Sequence, residues 1–202
     1  MTKGIDNTLF GLVLAGGQST RMKADKFALK FYGKKQVAYC YELLSAVCKK
    51  TFISIRKEQA NEEEIKGYPQ VSDRAPYVDI GPIGGILSAM NQYPEADWFV
   101  LAVDLPFVAE ETIGHLLKNH DPLKNATAYK SSHDGLPEPL CALYTAQSQA
   151  AMANYVQEGK TCPRKFLINF EITLLKQIEP NSLDNINNPD EYQKAKKSLK
   201  RK

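Results

Sequence analysis

Apolar and polar positions along the first half of the chain predict strands and helices in alternation. The apolar run Leu9–Ala15, LFGLVLA, is typical of a strand that is buried on both faces. Apolar side chains at helical spacing predict a helix over Gln36–Lys50, and β-branched residues predict a strand over Thr51–Arg56. A polar helix or loop over Glu58–Lys66 and a short strand over Pro69–Asp73 follow.

The second half continues this alternation, although less regularly. Asp97–Asp104, DWFVLAVD, is the most hydrophobic predicted strand, and we expect it near the centre of the sheet. The other predicted helices span Ile86–Tyr93, Ala109–Asn119, Ala146–Gly159 and Asn187–Leu199, and the other predicted strands span Ala126–Lys130, Leu140–Thr145 and Ile172–Ile178. Strands that alternate with helices predict an α/β fold with a mostly parallel central sheet and helices on both faces.

Composition and charge are those of a single soluble domain. The chain has 202 residues, 43% of them hydrophobic, and a net charge of only +3. Much of the positive charge lies in Tyr192–Lys202, which we interpret as a frayed, solvated helix end rather than a nucleic-acid or membrane arm. The start of the chain lacks a signal peptide's apolar stretch, and no apolar run is long enough to span a bilayer. We therefore expect a cytoplasmic protein with no nucleic-acid or membrane partner.

The cysteines and histidines do not indicate a metal or redox centre. Cys40, Cys48, Cys141 and Cys162 include no pair with CxxC spacing, so we expect free, mostly buried thiols in a reducing compartment. The three histidines are scattered along the chain. His115 lies in a helical pattern and is interpreted as a packing or surface residue.

The residues that directly follow the strands are the candidates for chemistry. Ligands of open parallel sheets bind beyond the carboxyl ends of the strands, near the point where the strand order reverses. The candidates at this edge are Gly16, Gly17, Arg21 and Lys26 after the first strand, Asp73 after the third and Asp104 after the fourth.

The segment LVLAGGQSTRMKADK indicates phosphate chemistry of an unusual kind. It matches neither the GxxxxGK[ST] loop nor the GxGxxG dinucleotide motif. The turn at Gly16–Gly17 can direct backbone amides at an anion. Arg21 offers a planar fork for phosphate oxygens, and Lys26 offers a mobile charge for a transition state or departing pyrophosphate. Asp25 is interpreted as a partner of one of these cations or as the cap of a turn.

The same segment resembles a known family. LAGGQSTRMKADKFAL is similar to the LAGGxSxRMGxDKxL signature of the molybdenum cofactor guanylyltransferases, the MobA group of the nucleotidyltransferases. Four further segments resemble the family's motifs in the same order: GPIGGI, VDLPF, PEPLCALY and NINNPDE. Together these matches cover nearly the whole chain.

This resemblance implies a fold, a reaction and a set of partners. It implies one Rossmann-like nucleotidyltransferase domain over residues 1–202. About the N-terminal half of this domain would bind GTP, and about the C-terminal half would bind molybdopterin. The implied reaction transfers GMP from GTP to molybdopterin-bound molybdenum and releases pyrophosphate, with Mg²⁺ as cofactor. A cofactor-insertion protein would deliver the substrate, and we expect a monomer or a weak homo-oligomer.

The resemblance also implies roles for particular residues. Leu14, Ala15, Gly16, Gly17, Lys26, Asp73 and Asp104 would bind the nucleotide, Asp104 would hold the metal, and Asn185 and Asn187 would contact the pterin substrate. Arg21, Lys26 and Asp104 are the catalytic candidates.

Each of these roles has a structural alternative. Asp104 follows the most buried strand and precedes Leu105–Pro106, so its carboxylate is a suitable hard-oxygen ligand, but it would also cap a turn. Asp73 would serve equally in an Asx-turn. Glycines 81, 84 and 85 would either bring a helix N-terminus to the ligand or allow tight helix-to-sheet packing.

Three departures from the family pattern stand out. Lys23 replaces a glycine, and a lysine held at positive φ would cost about 1 kcal/mol. Asn188 replaces a threonine, and both residues cap helices. The segment SIRKE offers Ser54 and Arg56 where the family often has an asparagine.

Alternatives to guanylyl transfer therefore stay open. One is a related nucleotidyltransferase, acting by cytidylyl transfer or on a sugar phosphate or cobinamide phosphate. The other is a nucleotide-binding protein that has lost turnover. Gly17 and Ile83–Gly84 favour the guanylyl group over the cytidylyl group.

Overall fold

The computed structural model describes residues 9–16, 29–31 and 33–199 of the chain. The strands are β1 (Leu9–Leu14), β2 (Lys30–Phe31), β3 (Lys34–Lys35), β4 (Lys50–Ile55), β5 (Gln70–Ser72), β6 (Asp97–Ala102), β7 (Ala126–Lys130), β8 (Pro137–Tyr144) and β9 (Ile172–Lys176). The helices are α1 (Gln36–Ser45), α2 (Pro82–Gln92), α3 (Glu110–Lys118), α4 (Ser148–Gln157), α5 (Pro163–Asn169) and α6 (Pro189–Leu199).

One sheet organises the described residues, with seven strands in the order β5-β4-β1-β6-β8-β7-β9. The first four of these run parallel to one another. β8 runs antiparallel to both β6 and β7, while β7 and β9 are again parallel. Because β8 runs in the opposite direction, its first residues lie at the same edge as the carboxyl ends of the other six strands. This arrangement confirms the predicted mostly parallel α/β sheet.

The two faces of the sheet carry separate cores. On one face, α1 and α3 pack Val37, Leu44 and Leu116 against the sheet, and all three are fully buried. On the other face, α2, α4 and α5 pack a second cluster that includes Met152 and Phe166. β1 and residues Trp98–Ala102 of β6 are apolar since both faces are covered, which agrees with the placement of helices on both sides.

Several elements differ from the sequence-based expectation. Strands β2 and β3 are additional, β8 begins at Pro137 instead of Leu140, and α2 begins at Pro82 instead of Ile86. The first helix ends at Ser45, not at Lys50, because the chain tightens into short-range turns before Lys49 donates to the Leu9 carbonyl at 2.9 Å. Helix α5 was not predicted, although Pro163 occupies its first turn, where proline fits a helix. Its buried Phe166 and Leu167 seal the second core.

The C-terminal segment is helical as far as Leu199 and largely exposed, as expected, but it is docked on one face rather than frayed. Helix α6 packs Tyr192 edge-on against Phe31, with ring centroids 5.1 Å apart, and the Tyr192 hydroxyl donates to the Lys30 carbonyl at 3.2 Å. Ala195 is buried in the same cluster. Lys194 and Lys197 are exposed, whereas Lys196 lies over the Tyr192 ring, with Nζ 5.5 Å from its centroid. In the part of the chain that the structure describes, no helix is long and apolar enough to cross a membrane.

The cysteines are only partly as expected. All four thiols are free, as predicted, and Cys40 and Cys141 are buried. Cys48 is half-buried and Cys162 is exposed, so the expectation of mostly buried thiols holds for only half of them.

Candidate active site

A cavity of about 540 Å³ opens at the carboxyl edge of the parallel strands. Its wall begins with Leu14, Ala15 and Gly16, which continue β1 into the glycine segment. Arg56 follows β4 and Asp73 follows β5 on one side. The strand ends therefore bring these residues into one concave rim, as the sheet topology predicts. We call this cavity the first cavity.

The start of helix α2 forms the floor of the first cavity. A Cβ on Gly85 would lie 2.4 Å from Ser54 Oγ and 3.5 Å from Asp73 Oδ1, so only glycine lets the helix approach the strand ends. A Cβ on Gly84 would lie 2.2 Å from the Tyr77 carbonyl oxygen. These two glycines serve tight packing, and that packing also places the N-terminus of α2 beside the cavity. The cap residue Gly81 lines the wall with φ of 76°.

A second cavity, of about 490 Å³, lies beyond the other half of the sheet. It is bounded by the loop between β7 and β8, the start of β8, helix α5 and the segment that precedes α6. Asp104 and Leu140 line both cavities. Asp104 follows β6, the last of the parallel strands before β8, so it stands at the junction of the two cavities.

The segment before α6 is attached directly to the Asp104 turn. The Ile186 amide donates to the Asp104 carbonyl at 2.9 Å, and the Ile186 side chain is buried. Asn185 on one side of it is exposed and lines the second cavity. Asn187 on the other side is half-buried, and its amide donates to Glu191 Oε2 at 2.7 Å. The alternation of buried and exposed positions agrees with an extended segment.

Asn188 and Glu191 cap helix α6 reciprocally. The Glu191 amide donates to Asn188 Oδ1 at 2.9 Å, and Asn188 Nδ2 donates to Glu191 Oε1 at 2.6 Å. This arrangement confirms the predicted cap, and it shows why asparagine serves where the family has threonine.

Charged side chains in the second cavity are paired with one another. Arg164 Nη1 donates to Asp134 Oδ2 at 2.9 Å, and its Nη2 donates to Glu138 Oε2 at 2.8 Å. His133 Nε2 lies 2.7 Å from Asp184 Oδ1. The hydrogen bond to Asp184 and its charge raise the pKa of His133.

Polar groups in the first cavity are less well matched. Burial, followed by the charges of Asp79 and Glu58, raises the pKa of Asp73 to about 6. Arg56 Nη1 is 3.7 Å from Glu58 Oε1, a long and weak pair in which only the Glu58 side chain is exposed. The buried Nε of Arg56 has no hydrogen-bond partner among the described residues.

The structure brings together part of the predicted site. Leu14, Ala15, Gly16, Asp73 and Asp104 converge on the first cavity. Asn185 lies in the second. The predicted site residues Gly17, Arg21 and Lys26, like Lys23 and Asp25, lie outside the described residues.

Sequence reasoning gave no role to three polar residues of the cavities. Asp79 directly precedes the Ile80–Gly81 turn, and its proximity to the GPIGGI motif was an available signal. Arg56 was noted only as a departure from the family asparagine. Arg164 became recognisable only once α5 and its carboxylate partners were placed.

Comparison with known proteins identifies the family. A sequence profile described as "MobA-like NTP transferase domain" matches residues 11–172, which is most of the chain. The chain belongs to the MobA-like NTP transferase family. The resemblance of its motifs is thereby confirmed, and so is its place among nucleotidyltransferases.

Individual members of the MobA-like NTP transferase family are similar over nearly all of the chain. The molybdenum cofactor biosynthesis bifunctional protein of a Synechocystis species is 33% identical over 184 residues, covering 91% of this chain and 52% of that protein. The chain thus spans about half the length of that relative. The "probable molybdenum cofactor guanylyltransferase" of Bacillus cereus is 29% identical over 195 residues, covering 94% of this chain and 96% of that protein.

A solved structure shares the MobA-like fold. The crystal structure of molybdopterin-guanine dinucleotide biosynthesis protein A from Archaeoglobus fulgidus aligns with a TM-score of 0.78 at 24% identity. The alignment covers 96% of this chain and 100% of that chain. At this identity the match supports the fold, with helices on both faces of a mixed sheet.

Proposed function

We propose that the protein transfers the GMP moiety of GTP to the molybdopterin-bound molybdenum cofactor and releases pyrophosphate. The relatives named for molybdenum cofactor guanylyltransferase support this proposal, because they match the chain across both cavities. The residues of the first cavity come mainly from the N-terminal half, and those of the second from positions 104–191. This division supports GTP in the first cavity and the pterin substrate in the second.

The observation that carries the proposal is that two cavities of similar size meet at Asp104. A nucleotidyl transfer requires its two substrates to come together at one phosphorus atom. The terminal phosphate of the acceptor attacks the α-phosphorus of GTP, a new P–O bond forms, and the bond to pyrophosphate breaks in line. Holding both reactants at a shared wall makes this step effectively unimolecular.

The described residues suit the binding parts of this reaction. Gly16 and the N-terminus of α2 line the first cavity and favour an anionic ligand, whereas the Ala15 amide donates to the Ser54 carbonyl at 3.0 Å. Asp73 would contact the nucleotide, and Asn185 with Asn187 would contact the pterin substrate. Arg21, Gly17 and Lys26 retain the roles that their motif implies, with the two cations neutralising charge on the phosphates.

A divalent cation fits the donor set at Asp104. Mg²⁺ is held in such enzymes by one or two carboxylates together with substrate phosphates and water. Within residues 9–16, 29–31 and 33–199 there is no group of three or more His, Cys, Asp or Glu side chains that could hold a metal. We infer that Asp104 would hold Mg²⁺, which would neutralise charge on the phosphates when bound.

Product analysis tests this function. Purified protein is mixed with molybdopterin-loaded donor protein, Mg²⁺ and either GTP or CTP, and dinucleotide products are identified by mass spectrometry. We expect product with GTP and its loss in Asp104→Asn and Lys26→Ala. Asp121→Asn is the matched control, because Asp121 precedes β7 at the opposite edge of the sheet.

Two other outcomes would replace the proposal. Product formed only with CTP would identify a cytidylyltransferase. Nucleotide binding without product from either nucleotide would identify a protein that has lost turnover. Thermal unfolding of each variant separates loss of activity from loss of fold.

A further inference from the structure

The order of the strands allows distances along the rim of the first cavity to be approximated. Asp104 follows β6, Arg56 follows β4 and Asp73 follows β5, in the sheet order β5-β4-β1-β6. With about 4.8 Å between neighbouring strands, Arg56 lies ~10 Å and Asp73 ~14 Å from the Asp104 position along the rim. If the phosphates of GTP lie at Asp104, as the proposed function requires, the base reaches the rim at β4 and β5.

Arg56 is an arginine with donors left over for a ligand. It lines the cavity, and its buried Nε has no hydrogen-bond partner among the described residues. The Arg56 side chain is about a quarter exposed, and its Nη1 makes only a long contact of 3.7 Å with Glu58 Oε1, so the Nη donors at the end of the guanidinium are the ones available to a ligand. Arg56 and Asp73 follow the neighbouring strands β4 and β5, and Arg56 forms its ion pair with Glu58.

Asp79 supplies an acceptor at the same end of the cavity. It lines the wall and is close enough to Asp73 for its charge to raise the pKa of that carboxyl group. Its backbone has φ of 59°, a left-handed conformation that is uncommon for residues other than glycine. Such a conformation at a cavity wall is a reason to look for a function.

Guanine has the pattern of donors and acceptors that fits this pair. Its O6 and N7 atoms accept hydrogen bonds, and arginine is their commonest specific partner. Its N1–H and 2-amino groups are adjacent donors, and one carboxylate can accept from both. We propose that Arg56 and Asp79 read the guanine base, Arg56 at O6 and N7 and Asp79 at N1 and the 2-amino group. This inference rests on the proposed function, since it takes the first cavity as the GTP site.

Two analogues of GTP test the two contacts separately. Inosine triphosphate lacks the 2-amino group, and 7-deazaguanosine triphosphate lacks N7. Binding of GTP and of each analogue to the full chain with Mg²⁺ is measured by isothermal titration calorimetry. We expect the parent protein to bind each analogue about tenfold more weakly than GTP, as a lost hydrogen bond to a charged group predicts.

Conservative variants then assign each contact to its residue. Asp79→Asn keeps a side chain that tolerates positive φ, and it should reduce the preference for GTP over inosine triphosphate to about twofold or less. Arg56→Lys keeps the charge but loses the fork, and it should reduce the preference over the 7-deaza analogue in the same way. Each variant should leave the other preference unchanged. Arg74→Lys and Asp121→Asn are the matched controls, since neither parent residue lines the cavity.

The outcomes separate this inference from the function on which it rests. A parent protein that binds GTP but treats both analogues like GTP overturns the base-reading assignment alone, even if a variant fails to fold. Variants that leave both preferences intact overturn it as well. A parent protein that does not bind GTP overturns the proposed function together with this inference.

Discussion

The two cavities that meet at Asp104 differ in how their charged groups are satisfied. In the first, Arg56 has a buried donor without a partner among the described residues, and the pKa of Asp73 is raised to about 6. In the second, Arg164 bridges two carboxylates and His133 pairs with Asp184. One cavity holds unmatched groups, and the other holds groups already matched within the protein.

This difference implies two modes of ligand binding. A ligand in the first cavity can contact Asp73 and the end of the Arg56 guanidinium while displacing only the long Arg56–Glu58 pair. A ligand in the second cavity must share Arg164 with Asp134 and Glu138, or use groups such as Asn185. Polar groups of the first cavity are therefore available to a ligand as they stand. In the second cavity, a ligand must replace ion pairs that the protein makes within itself.

The largest effect is expected from Gly84→Ala, which disturbs the first cavity alone. The new Cβ would lie 2.2 Å from the Tyr77 carbonyl oxygen, so the loop that carries Asp79 must move. Overpacking of this kind costs about 1–3 kcal/mol in the free energy of unfolding. Denaturant titration should show this loss, and calorimetry should show weaker GTP binding with unchanged binding in the second cavity.

Gly114→Ala is the matched control for that substitution. Gly114 also lies inside a helix, but a Cβ there would meet nothing within 4 Å. Alanine should therefore stabilise α3 by about 0.5–1 kcal/mol. Equal stabilities for the two variants would show that the packing of the Tyr77 loop on α2 does not shape the first cavity.

A smaller effect, on the second cavity instead of the first, is expected from Arg164→Met. It leaves Asp134 and Glu138 without their shared cation, so an anionic acceptor meets uncompensated negative charge in the second cavity. We expect the KM for the acceptor to rise about tenfold, or ~1.4 kcal/mol, with the KM for GTP unchanged. Steady-state kinetics with each substrate varied in turn measures both values.

The neighbouring Lys165→Met is the control for Arg164→Met. Lys165 is exposed on the same helix and does not line the second cavity. Its replacement by methionine removes the same charge as Arg164→Met. An increase in the KM for GTP in Arg164→Met, or an equal effect of Lys165→Met, would contradict the separation of the two cavities.

Asp73→Asn tests the unmatched acid by its dependence on pH. The folded-state pKa of about 6 lies above the ordinary value of 3.8, so the folded protein binds this proton more tightly than the unfolded chain. Stability contributed by the proton is present below pH 4 and is lost as pH rises to 6. Without nucleotide, Asp73→Asn should have a Tm about 2–4 °C above the parent at pH 7.5, and the difference should disappear near pH 4.

A pH-independent difference would contradict this account of Asp73. Asp121→Asn, measured over the same pH range, controls for the general effect of removing a carboxylate. Differential scanning calorimetry at four pH values is sufficient for the comparison.

Much of the fold and half of the site were predictable because they depend on local pattern and strand direction. The apolar runs that form β1 and β6 fix the buried centre of the sheet, and parallel strands bring their carboxyl ends to one edge. Gly16, Asp73 and Asp104 could therefore be grouped from the sequence. The GPIGGI motif was visible too, although only the structure shows that Gly84 and Gly85 serve helix packing.

The second cavity was less predictable because it depends on distant partners. Arg164 pairs with residues 26 and 30 positions earlier, and His133 with one 51 positions later. Such pairs require the antiparallel course of β8 and the position of α5, neither of which has a strong local signal. The first cavity is built from strand ends and the second from tertiary pairs, so sequence reasoning reached them unequally.

The smallest predicted effect concerns His133, which forms an exposed pair with Asp184 at the mouth of the second cavity. Because Asp184 raises the pKa of His133, the ion pair is present at low pH and is lost as pH rises through that raised value. Asp184→Asn should lower the pKa of His133, as followed by the imidazole resonances in NMR titration. Asp134→Asn should lower it less, since Asp134 contributes least among the charges that raise it. A larger effect of Asp134→Asn would show that the cavity mouth is held by the Arg164 cluster instead of by the His133–Asp184 pair.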